Sequence, residues 1–147
     1  MRSDSCPVRK WEPPPRGFLK MNVDGAVSLS TSAGDVGGFL RNEFGDTLLS
    51  FSKPVGNLPP ALVELEALRV GIFAFLDSCW AGKYRLVVES DCKNVVDWVL
   101  GMTLPPPAFL IIVKEVASII NTRSMVLRLI PRSLNIEADL MAKQGIG

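Results

Sequence analysis

No histidine occurs anywhere in the 147 residues. That absence removes every His-based catalytic triad, every imidazole metal site and the commonest general base, so any chemistry must rest on carboxylates, thiols, hydroxyls or lysines. Cysteine is scarce as well. Cys6, Cys79 and Cys92 are odd in number and show no C-x-x-C spacing, so neither a disulfide framework nor a zinc site is indicated and reduced thiols are expected. Charge of one sign is not in excess: 16 Lys plus Arg stand against 15 Asp plus Glu. Without a strong global field, basic residues can act on a polyanion only where they are placed locally. No apolar run reaches the roughly 18 to 20 residues needed to cross a bilayer. The segment MRSDSCPVRKWEPPPRG also lacks the apolar stretch of a secretory signal. The expectation is a soluble, intracellular protein with no membrane partner, nucleus and cytoplasm both staying open.

What is present suffices for one globular domain, since 48% of the residues are hydrophobic and 21% charged, enough to bury a core at this length. Residues 1–16 carry scattered charges and Pro13, Pro14 and Pro15. These deny helix and predict an extended Pro-rich leader into a domain spanning 17–147. A monomer is the default.

From Phe18 to Ala26 the sequence alternates, with Phe18, Lys20, Asn22 and Asp24 on one face and Leu19, Met21 and Val23 on the other. The two-residue period predicts a strand with its last carboxylate on one face. After the small-residue turn SLSTSAGD, the runs VGGFLRN and LLSFSKP read as two more strands of an antiparallel meander, broken at EFGDT. Gly37 and Gly38 inside a strand indicate close backbone approach or a bulge. Pro59 and Pro60 open ALVELEALRVGIFAFLDSCW, where Leu62, Leu65, Leu68, Ile72, Phe75 and Leu76 recur at helical spacing.

YRLVVESD is an apolar run closed by acids, as in a buried strand whose carboxyl end meets solvent. Cys92 to Leu100 reads as a short helix stopped at Gly101, AFLIIVKEVASIINTR as a second long helix, SMVLRLIP as a strand and LNIEADLMAKQ as a last helix. The predicted order is βββαβααβα: an α/β fold with a mixed five-stranded sheet and helices on its faces.

Asp24 ends the first strand, Glu64 lies early in the main helix, Asp91 ends the fourth strand and Asp139 lies inside the final helix. Functional groups gather at the carboxyl ends of strands in such sheets, which makes Asp24 and Asp91 plausible neighbours. Converging carboxylates repel and raise one another's pKa. Hard divalent ions such as Mg²⁺ or Mn²⁺ resolve that conflict, and two of them about 3.5 to 4 Å apart stabilise attacking and leaving oxygens in phosphoryl transfer. Periodicity by itself leaves that reading open.

The segments NVDGA, GGFLRNEFGDTL, VELEAL, VVESDCKNVV and PRSLNIEADLMAK resemble the successive motifs of type 1 ribonuclease H, over a span from Trp11 to Gly145. The closest resemblance is to the plant reverse-transcriptase-like ribonuclease H domains, found as free-standing proteins and at the ends of retrotransposon polyproteins. In these, W-x-P-P-x-G leads into the first strand, to which WEPPPRGFLKMNVDGA is similar. The resemblance implies a ribonuclease H-like fold and carries the family's acidic quartet onto Asp24, Glu64, Asp91 and Asp139 as catalytic and metal-holding residues. It implies Mg²⁺, with Mn²⁺ as a substitute, two ions per site, and an RNA–DNA hybrid as partner. The implied reaction is hydrolysis of the RNA strand by in-line attack of an activated water, with the ribose 3′-oxygen leaving. Strand choice would come from minor-groove contacts to 2′-hydroxyls, partly through backbone groups near Gly25 and Ala26.

Several neighbouring residues have rival readings. The family pattern places the helix acid immediately before Leu-x-Ala-Leu, here Leu65 to Leu68, so Glu66 is read as solvated. Glu89 shares a strand face with Asp91 by the two-residue period and either backs the site or is a surface charge. Glu137 sits about 200° around the helix from Asp139 and is read as solvated. Trp98 and Phe109, near Lys93 and Lys114, either stack on nucleic acid or belong to the core, and core is expected. Lys93 and, better placed, Arg132 are the candidates for phosphate contact.

Two departures from the family point to weak turnover. Many family enzymes carry a histidine in the loop before the last acid, thought to help product leave, and here there is none. The turn before the helix acid reads Leu58-Pro59-Pro60-Ala61, which offers the hybrid fewer hydrogen bonds. The 147 residues hold no separate basic module, so affinity should be modest and strongly salt-sensitive. The alternative to the nuclease is a non-catalytic nucleic-acid-binding domain of retrotransposon origin; a weaker third reading is a protein-interaction domain using exposed apolar surface.

Overall fold

A computed structural model describes residues 11–146, with side chains to residue 143. Residues 1–10 of the expected leader lie outside the described residues; Trp11 to Pro15 run without helix or strand. The elements that follow are β1 (Phe18–Val27), β2 (Gly34–Arg41), β3 (Thr47–Gly56), α1 (Pro60–Leu76), β4 (Arg85–Ser90), α2 (Lys93–Val99), α3 (Leu110–Thr122), β5 (Val126–Leu129) and α4 (Ile136–Ile146). Single 3₁₀ turns at Pro107–Phe109 and Arg132–Leu134 precede α3 and α4. The order βββαβααβα is the one predicted.

The strands form one sheet in the order β3-β2-β1-β4-β5. The meander pairs antiparallel, β1 with β2 and β2 with β3. β4 joins β1 in parallel, and β5 joins β4 in parallel, so each needs a helical crossover. On the α1 side, Leu19, Met21 and Val23 of β1 meet Leu65, Leu68, Ile72 and Phe75 in the buried core. Each such side chain contributes about 1.5–3 kcal/mol. The polar face of β1 is buried too: Lys20, Asn22 and Asp24 are covered on the face where α4 packs.

α4 can lie close because Gly37 carries no side chain, as its strand position suggested: a Cβ there would stand 2.4 Å from the Ala142 amide nitrogen. At Gly38 a Cβ would stand 2.3 Å from the Asn22 carbonyl. The register of β2 against β3 shifts to either side of these glycines, between Gly34 and Asp35 and between Leu40 and Arg41, with the extra residue on β3 each time.

α1 begins on Pro60, as the diproline predicted, and ends at Leu76, four residues short of the expected Trp80. The Asp77 N–H donates to the Phe73 carbonyl and the Ser78 hydroxyl to that of Phe75, so the end carbonyls are met by a turn instead of further helix. β5 is shorter than SMVLRLIP because the chain turns at Ser124, φ 52°, before it and reaches Pro131 after it. Trp98 and Phe109 pack on each other with ring centroids 5.9 Å apart, the core reading. Met102, Leu104 and Ile111 stand exposed around the α2–α3 connection. Among the described residues no helix is long and apolar enough to cross a membrane.

Candidate active site

Strand register brings the first two acids together. In the parallel pair of β1 and β4, Asn22 is level with Glu89. Two residues further on, at the same carboxyl edge, stand Asp24 and Asp91. Glu64, in the second turn of α1, reaches this edge because Gly25 lets the helix approach: a Cβ at Gly25 would lie 2.8 Å from Val63 Cγ1 and 3.1 Å from the Val63 carbonyl. The Gly25 N–H donates to Glu64 Oε1 at 2.9 Å. Asp24, Glu64 and Asp91 each offer a carboxylate oxygen, and these oxygens all lie within 4.8 Å of one another.

Asp139 borders this trio without joining it. It lies in the first turn of α4, near enough to Asp24 and Asp91 to raise the pKa of both, while its Oδ2 pairs with Lys143 at 2.9 Å. Ionised, buried Asp24 Oδ2 and Asp139 Oδ1 have no donor. A proton on a neighbouring carboxyl, or a cation, would supply what they lack.

The electrostatics follow from this crowding. Burial, then repulsion from Glu64 and Asp91, pushes Asp24 up to about 9. Burial also raises Glu64, to about 7, against the opposing hydrogen bond to Asp24, the Gly25 N–H and the Arg132 charge. Asp91 is raised by burial, with the Asn135 amide and Arg132 pulling the other way. The Cys92 thiol is pushed up, first by burial. Oxygen donors alone, with unpartnered acceptors among them, suit a hard divalent cation such as Mg²⁺ or Mn²⁺.

The remaining sequence candidates fall differently. Arg132 is exposed and close enough to Glu64 and Asp91 to lower both. Lys93 opens α2 and is bound to Asp97 at 2.5 Å, so its charge is partly met. Gly25 directs its N–H inward to Glu64, and Gly25 and Ala26 are both half-buried. Glu66 turns away and pairs with Arg69 at 3.2 Å, more covered than a solvated residue. Glu137 is exposed and meets Arg41 at 2.8 Å. Glu89 is no surface charge: it is buried in an ion pair with Lys20 at 3.1 Å.

Sequence reasoning missed Asn135. Its Nδ2 donates to the Val23 carbonyl at 2.7 Å and to Asp91 Oδ2 at 3.3 Å, and its own carbonyl accepts the Asp139 N–H. One residue thus ties β1, Asp91 and the start of α4. The signal was a helix-capping residue directly before the final helix.

A sequence model of the family described as reverse transcriptase-like matches residues 22–145. No curated protein matches the chain. Among solved structures, LC11-RNase H1, isolated from compost by a metagenomic approach, aligns with a TM-score of 0.77 and 22% identity over 88% of this chain and 96% of its own. RNase H1 from the halophilic archaeon Halobacterium salinarum NRC-1 aligns at 0.76 and 18% identity, over 88% of this chain and 98% of its own. LC11-RNase H1 in complex with an RNA/DNA hybrid aligns at 0.73 and 20% identity, over 86% and 94%. These likenesses establish the ribonuclease H-like fold of the mixed five-stranded sheet.

Proposed function

We infer the function from one premise: this chain belongs to the reverse transcriptase-like family. On that footing we propose that it is a divalent-metal-dependent endonuclease, a type 1 ribonuclease H that hydrolyses the RNA strand of RNA–DNA hybrids. The observation that carries the proposal is the trio Asp24, Glu64 and Asp91, whose carboxylate oxygens converge within 4.8 Å. Such a cluster is electrostatically unfavourable by itself and becomes favourable around a hard cation. That LC11-RNase H1 has been seen with an RNA/DNA hybrid supports the substrate class. The leader WEPPPRG supports placement in the plant, retrotransposon-related branch.

Asp24, Glu64 and Asp91 would hold one cation, and the flank between Asp24 and Asp139 a second. Divalent ions held there would supply polarisation of the scissile phosphate and a more acidic bound water near neutral pH. The protein's part is placement. The Gly25 N–H fixes Glu64, the Asn135 amide fixes Asp91, and exposed Arg132 stands where it can meet a substrate phosphate. Binding rests on backbone and shape and is sequence-independent.

The test is cleavage of 5′-labelled RNA in an RNA–DNA duplex with Mg²⁺, Mn²⁺ or EDTA, alongside Asp24→Asn. Metal-dependent cutting of hybrid RNA, and not of duplex RNA or DNA, lost in the variant, is the expected result. Tight hybrid binding by folded protein without cleavage in either metal would replace this reading by the non-catalytic binding domain.

A further inference from the structure

Trp11 precedes the family-matched residues 22–145, yet it is built into the polar layer behind the acids. Its indole N–H donates to Asn22 Oδ1 at 3.2 Å. Asn22 Nδ2 donates to Glu89 Oε1 at 3.0 Å and to Asn135 Oδ1 at 3.4 Å. Asn135 Nδ2 donates to Asp91 Oδ2 at 3.3 Å. Asn22, Glu89 and Asn135 are each at most 3% exposed, so the middle of this chain of bonds is shielded from solvent, while its two ends, at Trp11 and Asp91, are half-buried. We propose that Trp11 is a positioning residue: it starts a one-way chain of hydrogen bonds, through Asn22 and Asn135, that sets the orientation of the Asp91 carboxylate. This rests on the proposed role of Asp91 in the nuclease site.

Direction is what makes the chain informative. An asparagine amide can turn over and exchange its oxygen for its nitrogen at little steric cost, so its neighbours must specify which end points where. An indole N–H only donates, so it fixes Asn22 with its oxygen toward Trp11 and its nitrogen toward Glu89 and Asn135. That nitrogen in turn holds the Asn135 oxygen, which leaves the Asn135 nitrogen for the Val23 carbonyl and Asp91. A reversed Asn135 would set its oxygen against two acceptors. In a buried chain each bond also polarises the next.

The same leader closes the charged end of the layer. The Lys20 ammonium pairs with Glu89 at 3.1 Å, donates to the Glu12 carbonyl and lies 5.2 Å from the Trp11 ring centroid. The Arg41 guanidinium is 5.4 Å from the same ring. With the leader in place, Lys20 finds a partner on each side, and Glu89 is held as the acceptor that Asn22 requires.

The test compares the full chain with Trp11→Phe, which keeps a ring against Lys20 and Arg41 and removes the donor. Asn22→Ser, which cuts the middle link with Trp11 intact, is the second variant. The readouts are the side-chain amide resonances of Asn135, the carboxyl carbon resonance of Asp91, the melting temperature, and kcat and KM on hybrid. In both variants the Asn135 and Asp91 resonances should move and the Asn135 amide protons exchange faster. For Trp11→Phe, kcat should fall about fivefold with KM within about twofold, the scale of one lost hydrogen bond acting through a ligand's partner. Unmoved Asn135 and Asp91 resonances in either folded variant would overturn the proposal, whatever the activity. Shifted resonances in a parent that cuts no hybrid would uphold the chain of bonds and remove the nuclease reading instead.

Discussion

Glu64 and Gly25 hold each other: the carboxylate accepts the strand's N–H at 2.9 Å, and the missing side chain lets the helix come near enough for it to do so. Gly25→Ala would press a methyl onto stiff, β-branched Val63 and its backbone. We expect a loss of about 1–3 kcal/mol on denaturant unfolding, together with a fall in metal-dependent cleavage as Glu64 is displaced.

Glu64 and Glu66 can be told apart directly. Glu64→Gln removes a carboxylate from the trio and should lower hybrid cleavage by more than about 100-fold. Glu66→Gln breaks only the half-exposed pair with Arg69, worth no more than about 1 kcal/mol, and should leave cleavage rates near the parent's. The reverse ranking in a single-turnover assay would move the site by half a helical turn.

Without metal, the protein should lose stability as pH rises. The folded carboxyls of Asp24 and Glu64 bind protons more tightly than the unfolded chain, at about 9 and about 7 against 3.8 and 4.5. Unfolding therefore releases protons between those limits, and stability declines from mildly acidic pH through about pH 9. Thermal melts from pH 5 to 9 in EDTA should show falling midpoints, and saturating Mg²⁺ should remove most of the slope.

Asp24→Asn should trade activity for stability. It removes the carboxyl most opposed to ionisation, so the metal-free variant at pH 8 should gain roughly 1–3 kcal/mol while hybrid cleavage disappears. A variant less stable than the parent in EDTA at that pH would contradict the crowding described here.

Arg132 and Lys93 should differ as phosphate contacts. Arg132→Ala should weaken hybrid binding and reduce the slope of log K against log salt by about 1. Lys93→Ala, whose charge already meets Asp97, should change that slope less. Fluorescence anisotropy across a salt series measures both.

Much of this arrangement was legible in the residues. The two-residue period placed Asp24 and Glu89 on their strand faces, and the diproline placed the start of α1, because these depend on local backbone geometry. The order of acids followed from motifs. Asn22 and Asn135 were not legible as partners, since they are 113 positions apart in sequence and only the packing of α4 on the sheet makes them neighbours. The buried Lys20–Glu89 pair was hidden for the same reason. A lysine on an alternating strand reads as solvent-facing until another element covers it. The inward N–H of Gly25 depends on how closely α1 approaches, which spacing along the chain does not encode.

Position 37 sets the working depth of the final helix. With hydrogen alone at Gly37, α4 settles so that a Cβ would stand 2.4 Å from the Ala142 nitrogen, and at that depth Asp139 faces Asp24. One methyl there would act as a shim under the far end of α4, tilting Asp139 away from Asp24 without altering any acid. The tolerance of the site is thus fixed by an atom the chain does not have.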